Sequence, residues 1–213
     1  MKKVLYTLTL LALSNCAAYD YKYRADYDYA IKTTKINNQA QDLPEEASLS
    51  FEDDWFKVSF LPDTEGVYLL LNNVNSETLH VVWDQSVIVH DQRALKVFHN
   101  GVKLINVSES LPNSVIPPGA FLEDKVSPAA YLAYSPPTDY SVGGWRQQRL
   151  IKEQYTRSPE SDYPKFKATV EALNNTDLYG LMLSVIKGNE IREYYFDFKI
   201  ASARVSEINL PSH

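Results

Sequence analysis

Tyr179-Gly180-Leu181-Met182-Leu183-Ser184-Val185-Ile186, then Lys187-Gly188-Asn189, then Ile191-Arg192-Glu193-Tyr194-Tyr195-Phe196-Asp197-Phe198-Lys199-Ile200 is the stretch that decides the fold class. In its second half Tyr194, Phe196, Phe198 and Ile200 recur at every second position, the period of a strand with one buried face. The Gly188 turn joins the two runs into a hairpin. Upstream the same rhythm returns. Phe56, Val58 and Phe60 share one face of residues 55–61, ahead of a Pro62-Asp63 turn. Residues 67–71 are apolar throughout, as a central strand would be. Leu79, Val81 and Trp83 point inward, and residues 87–89 follow as a strand. Residues 94–98 and 102–107 pair around Asn100-Gly101, a hairpin signal. Val115-Ile116-Pro117-Pro118-Gly119-Ala120 centres a turn on Pro118-Gly119, with a strand at 121–126 after it. Residues 165–173 carry Phe166, Val170 and Leu173 at helical spacing.

Roughly seven to nine short strands with this spacing predict a mainly β fold. The expected architecture is an immunoglobulin-like antiparallel β-sandwich with one long loop excursion and at most one or two short helices. Cys16 is the only cysteine, so no disulfide can join the sheets. Trp83 then fills the centre by packing, and its indole N–H needs an acceptor.

The composition agrees. Fifteen Tyr, 8 Phe and 3 Trp in 213 residues favour pleated, half-buried surfaces, and 45% apolar residues suffice for one core. The formal charge of −6 becomes −8 for residues 16–213, because the leader removes Lys2 and Lys3 and carries no acid. An acidic surface without a basic stripe disfavours nucleic acid as a partner.

Residues 1–15 read as a signal peptide: Lys2 and Lys3, an apolar run over 4–13, then Ser14-Asn15. The run is too short to span a bilayer of ~30 Å as a helix. Leu13-Ser14-Asn15-Cys16 resembles the bacterial lipobox, with Asn15 departing from the usual Gly, Ala or Ser. The resemblance implies a lipoprotein: diacylglyceryl on the Cys16 thiol, cleavage before it, and acylation, such as by palmitate, of the new amino group. Ala17 in place of Asp implies sorting to the outer membrane, facing the periplasm. Acylation also disposes of an unpaired thiol in an oxidising compartment.

Residues 16–48 are read as the lipidated cysteine and a tether. Tyr19, Tyr21, Tyr23, Tyr27 and Tyr29 hold the strand period. They fit an extended tether or edge strand, a strand packed on the domain, or an aromatic contact surface. The β-sandwich domain is expected over 49–205, with a long excursion at 127–165 and a tail at 206–213. The excursion carries Tyr131, Tyr134, Tyr140, Trp145, Tyr155 and Tyr163, enough aromatics for a lid over the sheet or a recognition surface. As a lid residue, Trp145 would cost about 3–5 kcal/mol on truncation to Ala.

Catalytic signatures are missing from the sequence. Seven glycines build no nucleophile elbow, phosphate loop or dinucleotide fingerprint. His80 and His90 flank the Trp83 segment without a metal-ligand spacing, so no metal or cofactor is expected. Asp53-Asp54 and Glu123-Asp124 would point to opposite faces of a strand and are read as solvated. Asp84 is a cap for a loop or a binding residue, and His99 opens the Asn100-Gly101 turn and bonds to backbone. Candidate binding residues are therefore Trp145, Tyr140, Asp84 and His99.

Val82-Trp83-Asp84, His99-Asn100-Gly101-Val102, the Ile116-Pro117-Pro118-Gly119 turn with Leu122-Glu123-Asp124, and Gly143-Gly144-Trp145 together resemble a group of uncharacterised bacterial lipoproteins. The resemblance spans roughly residues 50–200. It implies a lipobox leader and one β-sandwich-like domain, and carries no activity. The function expected is a non-enzymatic binding or structural module of the envelope, its partner an envelope protein or peptidoglycan. An accessory subunit or chaperone of a secretion or conjugation machine is the alternative, with an envelope enzyme behind it.

Overall fold

The computed structural model describes residues 23–42, 49–100, 109–151, 155–156 and 163–207. The leader, Cys16, residues 102–107 of the Asn100-Gly101 pair and residues 208–213 lie outside them.

The elements in chain order are β1 (Tyr23–Ile36), β2 (Gln39–Gln41), β3 (Ser50–Glu52), β4 (Phe56–Pro62), β5 (Val67–Asn73), β6 (Leu79–Val81), β7 (Val87–His90), β8 (Arg93–His99), β9 (Ser114–Ile116), β10 (Phe121–Pro128), β11 (Leu132–Ser135), β12 (Gly144–Gln147), β13 (Tyr155–Thr156), α1 (Tyr163–Glu171), β14 (Asp177–Lys187) and β15 (Glu190–Glu207). Thirteen strands among the described residues join one sheet, in the order β13-β1-β15-β14-β7-β8-β10-β5-β4-β3, with β2, β6 and β9 attached at its sides. Every pairing is antiparallel, as in the β1–β15 and β4–β5 ladders. The mainly β, sandwich-like fold predicted from the spacing is thus the one adopted.

The two layers are opposite ends of this one sheet, curled until they face each other. Phe56 and Phe60 of β4 meet Tyr194, Phe196 and Phe198 of β15: ring centroids are 4.6 Å apart for Phe56–Tyr194, 4.7 Å for Phe60–Phe196 and 5.3 Å for Phe60–Phe198. All five rings are buried. Each contributes roughly 1.5–3 kcal/mol by leaving water, so this aromatic seam closes the sandwich. Tyr179 adds to it, its hydroxyl donating to the Gly66 carbonyl in the β4–β5 turn. Burial holds that phenol well above its ordinary pKa.

Several expectations are corrected here. Residues 23–41 are not tether: β1 pairs with β15 from Tyr23↔Glu207 to Ile36↔Tyr194 and buries Ala30, Ile31 and Thr34. The domain therefore starts at Tyr23, well ahead of Leu49, because an 18-residue β15 needs a long partner along its outer flank. It also ends later, at Glu207. The 127–165 excursion is not one loop. It contains a β11–β12 hairpin and the β13 pairing, and the helix starts at Tyr163. Residues 67–71 bury only alternate side chains, leaving Tyr68 and Leu70 exposed on the other face. Trp83 sits in a 3₁₀ turn, Trp83–Gln85, and is still fully buried.

Candidate functional site

Two kinds of place qualify: polar clusters inside the sandwich and apolar surfaces outside it. His99 ends β8 opposite Val126 of β10, so Asp124, two residues from Val126, shares its face. The His99 Nδ1 lies 2.8 Å from Asp124 Oδ2, and Asp124 Oδ1 accepts the Asn100 amide at 2.8 Å. Trp83 stacks on the imidazole at 4.4 Å, and its indole N–H donates to the Ser114 hydroxyl at 2.8 Å, which is the acceptor its burial requires. A carboxylate that orients an imidazole is half of a general base. Yet His99 is only 8% exposed, and its Nε2 is buried with no hydrogen-bond partner among the described residues. Among the described residues the cluster ties β8 and β10 to the Trp83 turn.

Asp84 is likewise occupied. It accepts from the Ser110 hydroxyl and from the Leu111 amide at 3.0 Å, with Lys96 Nζ 3.3 Å away. The Ser110 bond, then the Leu111 amide, hold its carboxyl below the usual range. Asp84 thus takes the loop-capping role, holding the Ser110 hydroxyl and the Leu111 amide, and the His99 imidazole is held by a carboxylate rather than by backbone. Of the acid pairs expected to be solvated surface, Asp54 and Glu123 are exposed, while Asp53 and Asp124 are drawn inward. Asp124 is buried. Asp53 and Asp54 lie in a turn, and both reach Arg192, at 3.2 and 2.6 Å. Asp53 also accepts the Tyr194 hydroxyl at 2.8 Å. Among the described residues no three His, Cys, Asp or Glu side chains gather to hold a metal ion.

Trp145 and Tyr140 belong to the β11–β12 hairpin. Trp145 stands opposite Tyr134, their rings edge to face at 5.6 Å. Gly143 lets the hairpin legs close, since a Cβ there would lie 2.4 Å from the Pro137 nitrogen. Tyr140 is 99% exposed, Val142 91% and Trp145 39%. Among the described residues the ring contact of Trp145 is with Tyr134 of its own hairpin, and the side chains that pack on the core are at the hairpin's feet. There Leu150 is buried, its amide donating to the Thr64 carbonyl at 2.7 Å, and the Tyr131 hydroxyl lies 3.3 Å from His90 Nδ1.

A second apolar surface escaped the sequence reading. On the outer face of β4, β5 and β10, Leu61 lies opposite Tyr68, and Leu70 follows on the same face between Ser59 and Glu123. Phe121 comes next, opposite Asn72. Leu61 and Phe121 are more than half exposed, Tyr68 and Leu70 more than a third. A shallow cavity of about 290 Å³ opens along this face, lined by Leu61, Tyr68, Leu70, Ser59 and Glu123. Lys125 borders it, over the Tyr68 ring at 4.8 Å and bound to Asp63 at 2.8 Å. Leu61 was legible as outward, from its phase against Phe56, Val58 and Phe60. Tyr68 and Leu70 were not, in a run with no polar residue.

No family model matches this chain, and comparison with curated proteins and with solved structures likewise returned no match.

Proposed function

We propose that this chain is a lipid-anchored envelope protein that binds a partner protein without catalysis. It is held at the periplasmic face of the outer membrane through acyl chains on Cys16. The observation that carries the binding role is the row of Leu61, Tyr68, Leu70 and Phe121 on the outer face of β4, β5 and β10. The free face of an antiparallel sheet is ordinarily polar, and a contiguous apolar strip there marks a contact surface. The leader and the lipobox-like Leu13-Ser14-Asn15-Cys16 support the anchor.

The test is a photocrosslinking residue at Leu70 in the full chain, activated in living cells. A discrete protein adduct, lost when Tyr68→Ser is added, is the expected result. A glycan adduct would replace the partner class with peptidoglycan. Turnover of cell-wall substrates by the purified protein would sink the non-enzymatic reading. The alternative of an accessory subunit or chaperone draws on β3, which ends the sheet path and pairs only with β4 among the described residues. Such an edge can accept an added strand. Neighbouring genes for an envelope machine would favour it.

A further inference from the structure

We propose that the end of the sheet carrying Tyr23, the start of α1 and the β11–β12 hairpin rests on the lipid bilayer, with Tyr140, Val142 and Trp145 seated among the headgroups. This rests on the anchor at Cys16 proposed above.

Length comes first. Residues 17–22 alone separate Cys16 from the first residue of β1. Fully extended, that chain reaches at most about 25 Å from Cys16 to Tyr23, less than the thickness of a bilayer's hydrocarbon core. A tether of 33 residues would let the domain roam. This one holds the start of β1 against the membrane.

The hairpin's returning leg comes back to the same end. Tyr23 pairs with Glu207, the last residue of β15, and with Thr156 of β13; its ring lies 4.7 Å from that of Tyr163, the first residue of α1. β14 begins alongside Lys199, midway along β15, and Tyr179 near its start reaches the β4–β5 turn. This turn receives the returning leg of the hairpin, at Thr64. From there the chain runs to β13 and back against Tyr23. The excursion leaves the sheet at the end of β10 and rejoins it at β13, against the strand that follows the anchor, and the four residue steps from Ile151 to Tyr155 keep the hairpin's returning leg within about 14 Å of that pairing.

The tip's chemistry fits a lipid interface. From Pro136 to Trp145, Asp139 is the single charged residue in an otherwise acidic protein. Trp and Tyr favour the headgroup level, where the ring leaves water and the N–H or O–H keeps it. An exposed Val142 beside them gains only if it too is buried there.

The experiment uses the full-length acylated protein in vesicles of phosphatidylethanolamine and phosphatidylglycerol, with and without bromine on the acyl chains. Trp55 and Trp83 are fully buried, so Trp145 is the indole a lipid quencher reaches. Expected is clear quenching by brominated lipid, abolished by Trp145→Phe, which keeps a ring against Tyr134. Vesicle flotation and mass spectrometry of the Cys16 peptide report the anchor separately. An acylated protein that floats but is not quenched overturns the orientation and leaves the anchor standing; a hairpin that meets protein instead of lipid gives this result. A chain with no acyl group on Cys16 overturns both.

Discussion

β15 and the β11–β12 hairpin are both rich in aromatic residues, and the fold treats them in opposite ways. Tyr194, Phe196 and Phe198 are buried because β4 supplies a second layer over them. Tyr134 and Trp145 are paired across a regular ladder, yet no second layer among the described residues covers them and both stay partly exposed. Strand pairing alone does not remove a side chain from water. A facing surface does, and where none is supplied by the chain the aromatics are left for something outside it.

The contrast makes graded demands. Phe196→Ala opens a void between β15 and β4 and should cost about 3–5 kcal/mol in denaturant unfolding. A loss under about 1 kcal/mol would mean that the two layers are not in contact there. Next comes Asp124→Ala, which strips a buried imidazole and the Asn100 amide of their acceptor. About 1–3 kcal/mol is the expected loss. Combining it with His99→Ala should cost less than the two single changes added together, since they share one interaction; simple additivity would show the pair is uncoupled. The smallest effect belongs to Trp145→Ala: about 1 kcal/mol or less, an aromatic pair with no core behind it. A loss on the scale of Phe196→Ala would return Trp145 to the interior and erase the contrast.

Legibility followed the distance over which a signal acts. The β14–β15 hairpin was readable because its period, its Gly188 turn and its pairing all lie within adjacent residues. The alternating tyrosines of β1 carried the same period, but their partner strand lies at the far end of the chain. Nothing local separated a packed strand from a tether. The Asp124–His99 contact depends on the register of β8 against β10, which neither segment encodes alone. The exposure of Tyr68 and Leu70 was hidden for another reason: with no polar residue from Val67 to Leu71, alternation had nothing to mark.

The pairing of β1 with β15 also sets an order of events. A ribosome makes β1 first and its partner last, so a strand of 14 residues waits through nearly the whole of synthesis before Tyr23 can meet Glu207. Contacts of such sequence separation are slow to form, and an unpaired strand with an aromatic face invites the wrong neighbour meanwhile. Asp26, Asp28, Lys32 and Lys35 are spread along the same segment, and charges on a waiting strand discourage association with other chains. Nascent copies of this protein should therefore depend on such charges, or on a chaperone, until the last strand is made.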